Sequence, residues 1–213
     1  MTGRPDECIG YSELLRSFGG IDIYLFDQLL RGAIRPGMRV LDAGCGSGRN
    51  LAPLLRLGVD VCATDEDPRA VDGARRLAAN LAPHLPADNF RVEPVERGTF
   101  AASAFDAVIS SAVLHFARDD EHFTAMVKEM WRVLRGGGML FCRLASTIGM
   151  ADRMRRIAGR RFLLPDGSER YLVDEEQLMV LTERLAGTLV DPLKTTVVQN
   201  QRCMTTWVVR KVA

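Results

Sequence analysis

The chain has 213 residues, 47% of them apolar and 26% charged, with a formal net charge of +1. That length suits one domain with a sizeable core. The near-neutral balance gives no electrostatic case for nucleic acid or an anionic membrane as the main partner, and no apolar run approaches the roughly 20 residues that span a bilayer.

The five cysteines (Cys8, Cys45, Cys62, Cys142, Cys203) are odd in number, widely spaced and form no C-x-x-C pair. The three histidines (His84, His115, His122) are scattered. Neither a zinc site nor a disulfide framework is indicated, and no metal is expected. Met1–Glu7 carries no signal-like apolar region, so a reduced cytoplasmic protein is expected.

The chain opens with a short amphipathic patch, Ser12–Phe18, closed by Gly19-Gly20. Asp22 is a plausible N-cap for a helix carrying Leu25, Phe26, Leu29 and Leu30 on its inner stripe. Met38–Leu41 predicts a first strand, residues 49–57 a helix, and Val59–Thr64 a second strand ending in Asp65. Asp67-Pro68 starts a helix whose buried face is Val71, Ala74, Ala78 and Leu81. Phe90–Glu96 predicts a weaker third strand, irregular at Pro94. Phe105–Ser111 is a nearly continuous apolar run, as in a strand buried on both faces. The next helix begins at Asp119-Asp120-Glu121, buries Phe123, Met126, Val127, Met130 and Leu134, and is expected to end at Gly136–Gly138. Met139–Leu144 predicts a fifth strand. Strand and helix alternate five times, so the fold class is α/β with a doubly wound, mostly parallel sheet. The basic stretch 151–161 reads as a solvated face, the Pro165–Ser168 segment as a turn, and Asp174 as the cap of a further helix. Runs 188–198 and 203–211 look like a terminal hairpin around Gln199–Gln201.

The chemistry concentrates in Val40-Leu41-Asp42-Ala43-Gly44-Cys45-Gly46-Ser47-Gly48-Arg49-Asn50. Three alternate glycines follow a strand end and open a helix. Backbone there can approach a ligand closely, with free helix N–H groups at hand. Asp65, about 20 residues on, ends the second strand where a carboxylate can accept ribose hydroxyls. Arg49 stands where a dinucleotide fingerprint would place its last glycine, which argues against a nicotinamide cofactor. His115, just past the fourth strand, is a candidate general base, with local packing as its alternative. Arg143, leaving the fifth strand, could meet an anionic substrate or a salt-bridge partner. Tyr11, Phe18 and Tyr24 could close over a ligand or pack in the core.

The order Val-Leu-Asp-x-Gly-Cys-Gly-x-Gly, then Asp65, then Phe105-Asp106-x-Val-Ile-Ser-Ser, then Leu134-Arg135-Gly136-Gly137-Gly138 resembles the class I S-adenosylmethionine-dependent methyltransferases over residues 20–145. Gly48-Arg49-Asn50 and the Met204–Lys211 run are similar to small bacterial members near the tellurite-resistance and thiopurine types. The resemblance implies a Rossmann-like seven-stranded sheet with its last strand antiparallel and helices on both faces. It implies S-adenosyl-L-methionine as cofactor and S-adenosyl-L-homocysteine as product. Asp42 and the turn of Gly44, Cys45, Gly46 and Gly48, with Asn50 after it, would face the methionine part. Asp65 would bind the ribose and Glu66 lie beside the adenine. Glu96, followed by Arg97, would match the family's adenine-contacting acid, and Ser111 would sit near the amino-acid end. A single domain is then expected, with a helical cap (1–36), a cofactor-binding core (37–145), an insertion or lid (146–187) and a terminal β-hairpin (188–213).

The expected function is methyl transfer to a small molecule by direct displacement, with Tyr11, Tyr24, His115 and Arg143 as candidate substrate residues. The alternatives are a methyltransferase acting on RNA or protein, and a protein that binds the cofactor without catalysis. Ser110-Ser111-Ala112-Val113 stands where an Asn-Pro-Pro-Tyr-type motif would serve a flipped base.

Overall fold

Short apolar runs bounded by Gly, Pro and Asp become the strands of one twisted sheet, and the amphipathic runs between them cover it. The computed structural model describes residues 10–213. Cys8 and the Met1–Glu7 segment lie outside the described residues.

Helices α1 (Tyr11–Phe18) and α2 (Ile23–Leu30) precede the sheet. Asp22 caps α2 as expected, accepting from the Tyr24 backbone N–H at 3.0 Å. Leu30 is not on the inner stripe: it is 71% exposed, and Gln28 is buried instead and donates to Asp191. Then follow β1 (Arg39–Ala43), α3 (Leu51–Arg56), β2 (Asp60–Asp65), α4 (Pro68–Leu81), β3 (Phe90–Val92), β4 (Phe105–Ser111), α5 (Asp120–Val133) and β5 (Leu134–Ala145). These five strands pair in parallel in the order β3-β2-β1-β4-β5.

Two boundaries differ from the sequence expectation. Strand β3 stops at Val92, because Pro94 has no N–H to give a ladder and residues 95–97 turn into a 3-10 helix. Helix α5 ends at Val133, and Gly136–Gly138 belong to β5 rather than to a helix stop. A Cβ on Gly138 would lie 2.9 Å from the Asp106 carbonyl oxygen, so glycine permits the close approach of β5 to β4 beside a register shift.

Alternate residues of the central strands feed two cores. One face packs Leu41, Cys62, Val108 and Leu140 against Phe123, Val127 and Met130 of α5. The other packs Val40, Val61, Ile109 and Phe141 against Leu25 of α2, Leu51 and Leu54 of α3, and Val71 and Ala74 of α4. Period-2 strands buried on both faces need helices on both faces, and the chain supplies them.

After β5 the 146–187 segment forms a small antiparallel sheet of β6 (Arg155–Ala158), β7 (Arg161–Leu163) and β8 (Glu169–Tyr171), then α6 (Glu175–Arg184). Met150, Phe162, Leu164 and Leu172 there bury against Ala145, Cys203 and Met204. The chain closes with β9 (Gly187–Leu189), β10 (Lys194–Val198) and β11 (Arg202–Lys211). Strand β11 lies antiparallel between β5 and β10, which extends the main path to seven strands, in the order β10-β11-β5-β4-β1-β2-β3. The run expected as one hairpin strand over 188–198 is two: Pro192 breaks the ladder between β10 and the short β9 that pairs with the end of β11. Among the described residues, no helix is long and apolar enough to cross a membrane.

Candidate active site

All five parallel strands end on one edge. Strand β1 is flanked by β2 and β4, whose following helices lie on opposite faces, and a crevice opens at that point. The glycine turn is folded over it by the backbone N–H groups of Gly44 and Cys45, which donate to the Thr64 carbonyl at 2.8 and 2.9 Å. Gly44 has φ 80°, and a Cβ there would come within 2.5 Å of Val113 Cγ2. Gly46 has φ 51° and faces open space, so a side chain there would fill the crevice. Gly48 serves packing instead. Its Cα side lies on Leu51 and Leu77, close enough that an added Cβ would stand 3.4 Å from each.

The result is a cavity of about 560 Å³. Its walls include Gly44, Cys45, Gly46 and Asn50, then Asp65 and Glu66 after β2, Glu96 after β3, and Ser111 after β4. Asp65 holds the turn: its carboxylate accepts from the Gly46 N–H at 2.8 Å and the Asp67 N–H at 3.0 Å. Each carboxylate oxygen keeps a further lone pair for a hydroxyl. Asp42 lies buried behind the turn, and its Oδ2 has no partner. Burial pushes its carboxyl up to about 7, with Arg49 opposing and Asp65 adding. Burial likewise pushes the Cys45 thiol up, so it is an inert wall.

A network of charges closes the inner end. The buried Asp22 carboxylate accepts from Arg143 Nη1 at 3.1 Å and from Ser111 Oγ at 3.2 Å, with Arg49 Nη2 at 3.7 Å. Arg49 also donates to Ser111 Oγ at 2.9 Å, and Asn50 Oδ1 accepts from the Asp22 N–H at 3.0 Å. One carboxylate before α2 thus ties together the glycine turn, β4 and β5.

A second cavity of about 280 Å³ abuts the first, and Arg49 and Ala112 line both. His115 and Arg143 stand on its walls, the β7–β8 turn supplies Leu164, Asp166 and Ser168, and β8 supplies Arg170. His115 is buried, its Nδ1 has no partner, and burial together with Arg170 lowers its pKa to about 4. It is a neutral imidazole at ordinary pH.

The candidate residues therefore divide. Gly44, Cys45, Gly46, Asn50, Asp65, Glu66, Glu96 and Ser111 line the first cavity, and His115 and Arg143 line the second. Asp42, Gly48 and Arg97 line neither. Tyr11 is 75% exposed and lines neither cavity, so it closes over nothing in this arrangement. Tyr24 also lines neither: its hydroxyl shares a 2.7 Å hydrogen bond with Thr196 Oγ1, and its ring lies 5.4 Å from the Arg143 guanidinium carbon. Phe18 packs edge-on against Phe26. Sequence reasoning missed Arg118, His122 and Met126 on the first cavity, and Arg170 and Arg202 on the second. The start of the helix after β4 faces the strand-end edge, and that geometric rule finds His122 and Met126 four residues apart. No comparable signal marks Arg170 or Arg202.

Residues 41–142 match the family described as "Methyltransferase domain". A ubiquinone biosynthesis O-methyltransferase of Methylocella silvestris is 38% identical over 113 residues, which cover 52% of this chain and 42% of that protein. The chain spans about half the length of the curated relatives it matches. A solved S-adenosylmethionine-dependent methyltransferase of Methanosarcina mazei shares the fold at TM-score 0.67 and 22% identity, covering 86% of this chain and 97% of that one. The 1,6-didemethyltoxoflavin-N1-methyltransferase of Burkholderia thailandensis, solved with its acceptor and S-adenosylhomocysteine, does so at TM-score 0.65 and 21% identity, covering 95% and 87%. The strand order, the glycine turn and the family match define a Rossmann-like methyltransferase fold. Residues 41–142 carry a methyltransferase domain, and the fold of the chain is that of the class I S-adenosylmethionine-dependent methyltransferases.

Proposed function

We propose that this protein moves a methyl group from S-adenosyl-L-methionine to a small-molecule acceptor, leaving S-adenosyl-L-homocysteine. The observation that carries this is the pair of abutting cavities, with Arg49 and Ala112 on their shared wall. The first fits the cofactor in kind: a glycine turn bare of side chains, a carboxylate at the end of β2, and the orphaned Asp42 Oδ2 beneath. Asp65 would hold the ribose, Glu66 and Glu96 the adenine end, and Gly44–Gly46, Asn50 and Ser111 the methionine end.

The cofactor supplies a sulfonium-bound methyl group whose leaving thioether is neutral. What the chain must contribute is alignment and a water-poor setting. The insertion serves as a lid, because the β7–β8 turn walls the second cavity. His115, neutral and with a free Nδ1, accepts a hydrogen bond from an acceptor hydroxyl or amine. At a pKa near 4 it is a weak base, so it orients an acceptor better than it deprotonates one.

Calorimetric titration tests the cofactor assignment. S-adenosylmethionine and S-adenosylhomocysteine should bind one per chain and NAD should not. Asp65→Ala should weaken both by about 1.5–3 kcal/mol, the worth of a hydrogen bond to a charged group. Binding of NAD without S-adenosylmethionine would overturn the assignment.

A further inference from the structure

The second cavity carries more positive charge than its own contacts use. Arg49 and Arg143 are committed to Asp22, which sets one carboxylate against two guanidinium groups. Arg170 and Arg202 also line the cavity; among the described residues neither has a carboxylate oxygen within 4.0 Å, and both act on Asp166 from farther away. Arg170 donates to the backbone carbonyl of Glu169 and lies 4.8 Å from the Phe116 ring centroid. The remaining wall carboxylate, Asp166, bonds to its own turn through Oδ1 alone, accepting from the Ser168 N–H at 3.0 Å and the Ser168 hydroxyl at 2.6 Å, and the charges of Arg202 and Arg170 help these bonds hold its pKa below the usual carboxylate range. Four guanidinium groups thus face two carboxylates, and His115 adds no charge. Between them the wall is apolar, formed by Ala145, Leu164 and Met204.

An apolar wall with a surplus of two positive charges is matched by an organic acid. The apolar side chains take its body, and guanidinium forks take a planar or tetrahedral oxyanion. We propose that the methyl acceptor is a small acid, bound through a carboxylate or phosphate group by Arg170 and Arg202. The inference rests on the methyltransferase reading above and names the chemistry of its acceptor. It also gives the insertion a purpose, since Arg170 on β8 and Arg202 at the start of β11 face one cavity from opposite elements.

The test uses the full chain saturated with S-adenosylhomocysteine, and binding rather than turnover as its readout. The probes are 4-hydroxybenzoate, phenyl phosphate, 4-hydroxybenzamide and inorganic phosphate. Both aromatic acids should bind about tenfold or more tightly than the neutral amide, given the strength of charge-assisted hydrogen bonds. Arg202→Gln, at an exposed position, should remove most of that preference while leaving the amide and S-adenosylhomocysteine affinities as they were. Arg170→Gln should do the same to the acid preference. The order of the two acids tells carboxylate from phosphate recognition. Equal affinity for acid and amide, or an acid preference that survives both substitutions, would overturn the inference while leaving the methyltransferase reading intact. Inorganic phosphate binding as well as phenyl phosphate would also overturn it, because the apolar wall would then contribute nothing. Failure of S-adenosylhomocysteine to bind at all overturns the methyltransferase reading, and the acceptor assignment falls with it.

Discussion

The two cavities lie side by side and are built by different means. The first is organised around the backbone of the glycine turn. The 44–50 turn folds over β1, the ends of β2, β3 and β4 flank it, and Arg118, His122 and Met126 complete the wall. The second is made of side chains from distant parts of the chain: Arg49, His115, Arg143, Arg170 and Arg202. A pocket organised around backbone is tied to the sheet itself and changes only when the fold changes. A side-chain pocket can be rewritten one residue at a time. That contrast is what a family with one cofactor and many acceptors requires. Asp22 joins the two, because its carboxylate holds Arg49, which lines both cavities, and Arg143, which lines only the second.

The largest expected effect comes from cutting that joint. Asp22→Ala would leave the largely buried Arg143 guanidinium and the more exposed Arg49 without their carboxylate and strip α2 of its cap. Removing one partner from a buried ionic cluster costs about 3–5 kcal/mol. Denaturant unfolding should show that loss, whereas Ser111→Ala, which leaves the ion pairs in place, should cost far less. Stability changed by under about 0.5 kcal/mol in Asp22→Ala would mean that the cavities are joined by some other means.

The cavities should also answer pH in opposite senses. Asp42, beneath the first, has its carboxyl raised from 3.8 to about 7. The folded state then binds the extra proton between those values, so Asp42 stabilises fully below pH 3.8 and loses about 4 kcal/mol as pH rises through 7. His115, on the second, is lowered from 6.5 to about 4. There the unfolded state binds the extra proton, so the folded state gains about 3 kcal/mol as pH rises from 4 to 6.5. From pH 4 to 6.5 the two slopes nearly cancel. Relative to the parent, Asp42→Asn should therefore gain stability with rising pH, and His115→Gln should lose it. Each slope should approach 1.4 kcal/mol per pH unit. Parallel curves for all three proteins would mean that neither group is held as the structure places it.

The same contrast explains what can be read from the sequence. The turn and Asp65 are legible because local spacing and strand ends place them together, and Glu66 and Ser111 follow from the family resemblance. The parallel sheet follows from apolar runs at regular intervals, and the antiparallel β11 follows from the family resemblance. Boundaries fail where a proline or glycine acts through a neighbouring strand: Pro94, Pro192 and Gly138 are read correctly only once their ladder partners are known. The second cavity is hardly legible at all. His115 announces itself by following β4 and Arg143 by lying near the end of β5, but Arg170 and Arg202 have no local pattern. Their convergence depends on how the β6–β8 sheet leans on β11. Asp22 is recognisable as a helix cap, and its role as a hub depends on partners as far away in sequence as Arg143.

Tyr24 gives the smallest expected effect and a clean separation of wall from scaffold. Its aromatic character and its place before the turn suggest a substrate contact. Its hydroxyl is instead bonded to Thr196 on β10, which ties α2 to the far edge of the sheet. Tyr24→Phe keeps the ring beside Arg143 and removes only that hydrogen bond. Unfolding should shift by about 1 kcal/mol, the usual net worth of one such bond. Because the Tyr24 side chain borders neither cavity, the affinity for S-adenosylhomocysteine and for an aromatic acid should stay where it was. An acid affinity that falls while stability holds would place the Tyr24 hydroxyl in the acceptor pocket, and the second cavity would then extend beneath α2.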